Sequence, residues 1–500
     1  MYTRKNKLKM FCIAVGLFLL CSCDDIADRQ QEFYDEVNGI NDRHALETSR
    51  VPDVNIDDYT PKPKGKEARE VGFIEKELDS LTGYDKHGNV TDSISYEQAE
   101  IDVDLAFRIF KNCYSGYYYF GGDEAFEKAK EQVLSDCKLA GEKLTVGTLQ
   151  EALIRNLRFV KDGHFLINNW FVFNKDSYYS NEDTIFLKDE NGYYAEQNGK
   201  KRYVTSINDE DKTEEYMKRS VDDKGRLIYK LGVISSEVRD TVKVVFEDGT
   251  ESLVLSLSKV QDFSDEEKYS YYEENNIPIV AIRSFMDESA AEQFIETAET
   301  IKNSKVSILD LRGNFGGRSY YVTRWLNIYD PALSGYERGN IFALRHSRAN
   351  SYLGHIRYKA DLPEKNETVA SNSLSLYRAG INQWEIEKNL SFERSENYNI
   401  LFVLFDAHTC SAGEWLTAVL RNKDNVIFVG VNSNGTMIGT NQVKIVLPNS
   451  KIHIQCSNVL ALIYDETVFT EETGFCPDIW VGNDSLKSTL DLISYYKLNK

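Results

Sequence analysis

The second half of this sequence predicts a layered α/β core, and three observations carry that prediction. Ile277 to Ile282 is an unbroken apolar run of strand length. Ala291, Phe294, Ile295, Ala298 and Ile301 then recur at helical spacing behind Asp287, a residue suited to cap a helix, and Val306 to Leu309 is a second apolar run ending in a Gly-rich turn. Strand, helix, strand in succession is the unit of a sheet covered by helices. The unit recurs at Ile400 to Phe405, the helical pattern after Ser411, and Val426 to Val429.

This core is expected over residues 263–500, and four segments precede it. Residues 171–262 read as a small β-rich module: the runs Tyr193-Tyr194, Leu227 to Leu231 and Thr241 to Phe246 are divided by the turn signals Asn191-Gly192, Asp223-Lys224-Gly225 and Asp248-Gly249. Residues 71–170 read as helical. Ile101, Leu105, Ile109 and Phe110, then Phe126 and Val133, have helical spacing, and the aromatic cluster Tyr114 to Phe120 with Gly121-Gly122 separates them. A further helical pattern, Leu149 to Val160, leads into Asp162-Gly163-His164. Residues 23–70 are polar and charged, with Pro52, Pro61 and Pro63, so a flexible tether is expected there, with some helix near Gln30 to Val37.

Residues 1–22 have the layout of a secretory signal peptide: Arg4, Lys5, Lys7 and Lys9, then an apolar run from Met10 to Leu20. That run is shorter than the roughly 20 apolar residues that span a bilayer. Leu20-Cys21-Ser22-Cys23 then ends the signal in the manner of bacterial lipoproteins, which makes Cys23 the expected lipidated residue; an ordinary signal peptide beside a free thiol is the alternative. Acyl chains on Cys23 would hold the protein at a membrane surface without a spanning helix. The expected location is the bacterial cell envelope, with Asp24-Asp25 pointing to the outer membrane or cell surface.

A formal charge of -20 argues against a nucleic-acid partner, which needs basic surface. Cys113, Cys137, Cys410, Cys456 and Cys476 form no CxxC pair, so no metal site is expected. No cofactor motif is found.

Three segments place a useful group just beyond a regular element, where active sites are commonly built. In Asp406-Ala-His-Thr-Cys-Ser411-Ala-Gly-Glu414, the Ser411 hydroxyl would sit at a helix N-terminus, whose free N–H groups favour developing negative charge, and Ala412 and Gly413 leave room for a substrate. Taken alone, Ser411-x-x-Glu414 is more simply a capping box. In Asp310-Leu-Arg312-Gly-Asn314-Phe-Gly316-Gly317, a strand ends in glycines that can present backbone N–H groups to an anion. A tight turn would look the same, and the Gly-Lys-Ser/Thr of a nucleotide loop is missing. Asp162-Gly163-His164 delivers an imidazole before an apolar strand. A lone His is more often structural, and His408 lies nearer Ser411 in sequence.

Together these segments resemble one family, the tail-specific or carboxy-terminal processing serine peptidases. Val306-Ser-Ile-Leu-Asp-Leu-Arg-Gly-Asn-Phe-Gly-Gly317 is similar to its strand and Gly-Gly turn, Cys410-Ser411-Ala412-Gly413-Glu414 to its nucleophile segment, and Gly474-Phe-Cys-Pro477-Asp478-Ile-Trp-Val481 to its closing strand. The likeness extends more loosely from about Ser95 to the C-terminus. It implies a crotonase-like (ClpP-like) α/β catalytic core, a helical N-terminal subdomain and a divergent PDZ-like β module. Near Tyr203 to Asn208 no Gly-Leu-Gly-Phe carboxylate-binding loop is present.

The resemblance has two branches. One uses a Ser-Lys dyad, but the stretch Gly430-Val-Asn-Ser-Asn-Gly435-Thr436-Met437 has Thr436 at the Lys position, and Lys444 is a poor substitute. The other, similar to the tricorn core, uses Ser, His and Glu, with the His ahead of the PDZ-like module, as His164 is here. The resemblance therefore implies Ser411 as nucleophile, His164 as base and Glu471, or alternatively Glu472, as the group orienting the imidazole. Gly316 or Gly317, with Ala412, would supply the oxyanion N–H groups. A protein or peptide is the implied substrate. The alternative from another class is a non-catalytic surface lipoprotein that binds peptide, glycan or lipid on the same fold, as retinoid-binding relatives of the family do.

Overall fold

The computed structural model describes residues 3–50, 52–62, 73–82, 93–247, 253–259, 267–334, 340–361, 367–389 and 394–500. The side chains of residues 3–25 lie outside that description, and with them Cys23 and the signal segment. Among the described residues no helix is long and apolar enough to cross a membrane.

The core is a six-stranded sheet in the order Tyr269–Glu274, Ile277–Ile282, Val306–Asp310, Ile400–Phe405, Val426–Gly430, Ile479–Trp480. Its first pair is antiparallel and the other four are parallel. Every residue of the inner strands is buried, as unbroken apolar runs require when both faces of a parallel sheet are covered. Asp287 caps the first covering helix, Glu288–Glu296, by accepting from Ala290 N at 3.0 Å. The helices Ser319–Tyr329 and Ala412–Leu420 pack on the same face, around Phe294, Trp325 and Leu416.

The opposite face is covered by a segment expected to be a tether. The helix Thr3–Ser49 lays Phe33, Val37 and Ile40 against Ile308, Phe402, Leu404 and Ile427, beside the C-terminal helix Ser485–Tyr495. Charged contacts fasten its end: His44 Nε2 lies 2.9 Å from Asp478 Oδ1, Arg43 pairs with the same carboxylate at 2.6 Å, and Arg421 pairs with Glu47 at 2.9 Å. Residues 26–49 are therefore part of the core. Their three buried apolar residues, Phe33, Val37 and Ile40, are spaced i, i+4, i+7 and make one narrow stripe, which suffices because the sheet supplies the rest of the buried surface.

A second, antiparallel sheet runs Gln383–Asn389, Asn340–His346, His453–Leu462, Leu166–Ile167, Trp170–Phe171, with Gly439–Val446 also paired to His453–Leu462. It joins the helical subdomain to the core. The helices Tyr96–Cys113, Gly122–Ala140 and Val146–Asn156 form, with Ser95 and Thr145 as capping residues, but their apolar faces are completed by Val443, Ile445, Ile454 and Cys456 from far along the chain. The cut at residues 170 and 263 thus does not separate independent cores.

The β module is an eight-stranded antiparallel sheet between Ser177 and Lys259, with the short helix Thr213–Tyr216 and a core around Phe186, Leu231 and Val244. Gly192 and Gly225 take positive φ in the expected turns, while Asp248-Gly249 lies outside the described residues.

Candidate active site

Ser411 follows the buried strand Ile400–Phe405 through a turn that Asp406 organises: its Oδ1 accepts from Gly313 N, His408 N and Thr409 N. The Ser411 backbone has φ 52° and ψ -115°, outside the regions favoured by side-chain-bearing residues, which costs on the order of 1–3 kcal/mol and is sustained by its surroundings. Ser411 and Glu414 take the positions of a capping box, with Glu414 Oε2 accepting from Ser411 N at 3.2 Å, yet the Ser411 hydroxyl makes no capping hydrogen bond. Instead Ser411 Oγ lies 3.2 Å from His164 Nε2. Residues separated by 247 positions meet there.

The buried Glu414 does more than cap. Its carboxylate also accepts from Ser433 Oγ at 2.6 Å, Gly435 N at 2.6 Å and Thr436 N at 2.7 Å, tying the Gly430–Thr436 loop to the nucleophile turn. Thr436 is engaged as well, its hydroxyl donating to Asn434 Oδ1. Lys444 stands in the strand Gly439–Val446 opposite Gln455 and acts on His164 only as a minor like charge.

His164 sits in a turn built by Asp162, whose Oδ1 accepts from His164 N at 2.8 Å and whose Oδ2 accepts from Tyr114 OH at 2.9 Å. Burial, and after it the charge of Lys175, push the imidazole down to about 4, so the ring is neutral near pH 7. The backbone at Gly439 weakly favours the charged ring, but Nδ1 is buried without a hydrogen-bond partner.

Neither expected glutamate meets that nitrogen. Glu471 is buried, and its oxygens are occupied by three backbone donors: Gly163 N at 2.6 Å, Met437 N at 2.7 Å and Ile438 N at 2.7 Å. It therefore fixes the His164 turn through the preceding residue rather than through the ring. Burial raises the Glu471 carboxyl to about 8, against the pull of Lys175. Glu472 points elsewhere and pairs with Lys161 at 3.2 Å.

The glycine turn is pressed against the nucleophile. A Cβ on Gly316 would lie 2.8 Å from both Cys410 O and Ser411 Cβ, and its φ is +73°. Its N–H, however, donates to Asn314 Oδ1 at 2.8 Å, which removes Gly316 from the expected oxyanion donors. Gly317 and Ala412 remain, both lining one cavity with Ser411 and His164. Asn314 also donates to Ile282 O and accepts from Cys410 N, so one side chain and its peptide lock the turn to two strands' ends. Beneath it, Asp310 pairs with Arg283 at 2.9 Å and Arg312 at 2.8 Å. Burial alone would raise its carboxyl, but these two cations outweigh it and hold it below the usual range.

Sequence reasoning missed Lys175. Its ammonium donates to Gly435 O and, at 2.6 Å, to Glu471 O, and stacks over Phe171 and Phe173. Burial lowers its affinity for the proton, while Glu471 and Glu414 act to retain it. No local motif marks this lysine. Among the described residues, no group of side chains could hold a metal ion.

Residues 276–481 match peptidase family S41. Among solved structures, mature CPAF complexed with lactacystin is similar at 13% identity, covering 81% of this chain and 99% of that one with a TM-score of 0.40. The photosystem II D1 C-terminal processing protease is similar at 13% identity, covering 79% and 94% with a TM-score of 0.32. For the tricorn protease the values are 11% identity, 82% and 37%, and a TM-score of 0.34. No curated protein matches the chain.

Proposed function

We propose that this chain, whose residues 276–481 match peptidase family S41, is a serine-type peptidase that hydrolyses peptide bonds through an acyl-enzyme on Ser411. The observation that supports this assignment is the 3.2 Å approach of Ser411 Oγ to the neutral, buried His164. Nε2 takes the hydroxyl proton as Oγ bonds to the substrate carbonyl carbon, then returns it to the leaving amine as the C–N bond breaks. Water, deprotonated by the same nitrogen, releases the acyl group.

The oxyanion is received by the N–H groups of Gly317 and Ala412; losing one such donor costs about 3 kcal/mol of transition-state stabilisation. The imidazolium formed meanwhile has no carboxylate bonded to Nδ1. Asp162 and Glu471 instead hold the backbone of its turn, through His164 N and Gly163 N. Glu471 is thus a positioning residue.

The N-terminal features add a location to this reading: the signal layout before Cys23 supports export and lipid anchoring at the cell envelope. Cys23→Ser should move the protein from the membrane fraction to the soluble one, and retention would sink the anchor. The peptidase assignment is tested by labelling wild type, Ser411→Ala and His164→Ala with a fluorophosphonate. Labelling of wild type alone is expected, and labelling that survives Ser411→Ala would end it.

A further inference from the structure

The cavity of about 380 Å³ that contains Ser411 and His164 is floored by the antiparallel sheet, and the chemistry of that floor changes along its length. Strand register sets out two rows. In one, Thr440 pairs with Val459, Val459 with Leu344, and Leu344 with Glu385. In the other, Ala461 pairs with Phe342 and Phe342 with Glu387. All of these line the cavity. The alternation along each strand agrees: Ile341 and Ala343 turn away into a separate core with Trp384 and Ile386, leaving Phe342 and Leu344 half-buried and Glu385 and Glu387 exposed on the cavity side.

From the imidazole end, then, a substrate meets apolar surface first and two carboxylates beyond it. Among the described residues that line this cavity there is no Lys or Arg to balance them. His346 Nε2 lies 2.8 Å from Glu385 Oε2, while Glu387 has no ion pair among the described residues. Edge-strand carboxylates also discourage sheet-to-sheet pairing, but that role is indifferent to the face they occupy. Here both share the face that carries the nucleophile's cavity.

Resting on the peptidase reading above, we propose that Glu385 and Glu387 form an outer subsite for a cationic side chain, so that the preferred substrates are peptides with apolar residues at the scissile bond and a Lys or Arg a short way along. Three strand spacings of about 4.8 Å separate the Thr440 strand from Glu385, which places that cation roughly two to four residues from the bond once the reach of its own stem is allowed for. Two partly exposed charges support a preference of about fivefold rather than an absolute requirement, and added salt should shrink it.

The test uses quenched peptides of one apolar sequence carrying either Lys or Glu at successive positions on each side of the scissile bond. Wild type should favour Lys over Glu by about fivefold in kcat/KM at one position; Glu385→Gln with Glu387→Gln should bring the ratio near one, and Glu385→Lys with Glu387→Lys should invert it. Cleavage by wild type without charge preference, or a preference that survives the double substitution, overturns the subsite alone. If no peptide is cleaved and Ser411 is not labelled by a fluorophosphonate, the peptidase reading falls and the subsite falls with it.

Discussion

Glu471 Oε2 accepts the Gly163 N–H at 2.6 Å, one residue before the imidazole that meets Ser411. Its other oxygen accepts from Met437 and Ile438, so one carboxylate sets the distance between the His164 turn and the strand that follows Thr436. Glu471→Gln puts an NH2 group against one of these donors. The expected result is a fall in kcat of about 10- to 100-fold with KM little changed, the pattern of a misplaced base rather than of lost binding. Steady-state kinetics on a peptide substrate, with circular dichroism to show retained fold, checks it; an unchanged kcat would remove Glu471 from positioning.

The acidic limb of kcat/KM should lie well below the usual histidine range. His164 must be neutral to accept the Ser411 proton, and its folded-state pKa is lowered to about 4 by burial and by Lys175. Activity should therefore persist through pH 6 and fail only as pH drops toward 4. The same depression has a stability consequence. The unfolded chain takes up this proton near 6.5, so between there and about 4 it binds more protons than the folded protein, and stability declines as pH falls. Stopped-time assays across pH 4 to 8 would reveal a limb near 6.5 if the assignment is wrong. Lys175→Met should move the limb upward.

Gly316→Ala should be damaging twice over. The new Cβ meets Cys410 O and Ser411 Cβ at 2.8 Å, and the residue must hold φ +73°. We expect about 1–3 kcal/mol of destabilisation in urea and loss of most activity, because the displaced neighbour is the nucleophile itself. A variant with wild-type activity would show that the turn can retreat from Ser411.

Phe33→Ala should cost about 3–5 kcal/mol in chemical denaturation, since Phe33 is buried against Phe402 and Tyr496. A flexible tether would give almost no change. The helix also carries His44 to Asp478, whose Oδ2 accepts from Phe428 N, so weakening it should disturb the strand that closes the parallel sheet.

How far the sequence could be read depended on whether the signal was local. Asp287 and the stripe behind it were visible because cap and helix are neighbours in the chain, and the strand Ile277–Ile282 because both its faces are apolar. Ser411 and His164 were reached through motifs and a family resemblance, since nothing in their 247-residue separation foretells contact. The antiparallel sheet was missed: its long strands mix polar and apolar residues, one face lining the cavity and the other the core. Lys175 was missed because its partners are backbone carbonyls, which any sequence supplies. Glu471 was expected to orient the imidazole itself, but its hydrogen bonds go to backbone N–H groups that no side-chain pattern reveals.

The docked helix changes what an anchor at Cys23 would mean for reach. A leash over residues 23–70 could let the catalytic cavity roam more than about 100 Å from the bilayer. With Phe33 already seated in the core, ten residues separate it from Cys23, about 15 Å along a helix and at most about 35 Å if drawn straight. An enzyme held that short could not reach out to fixed targets far from the surface, and its parallel sheet would keep a narrow range of heights above the lipid headgroups.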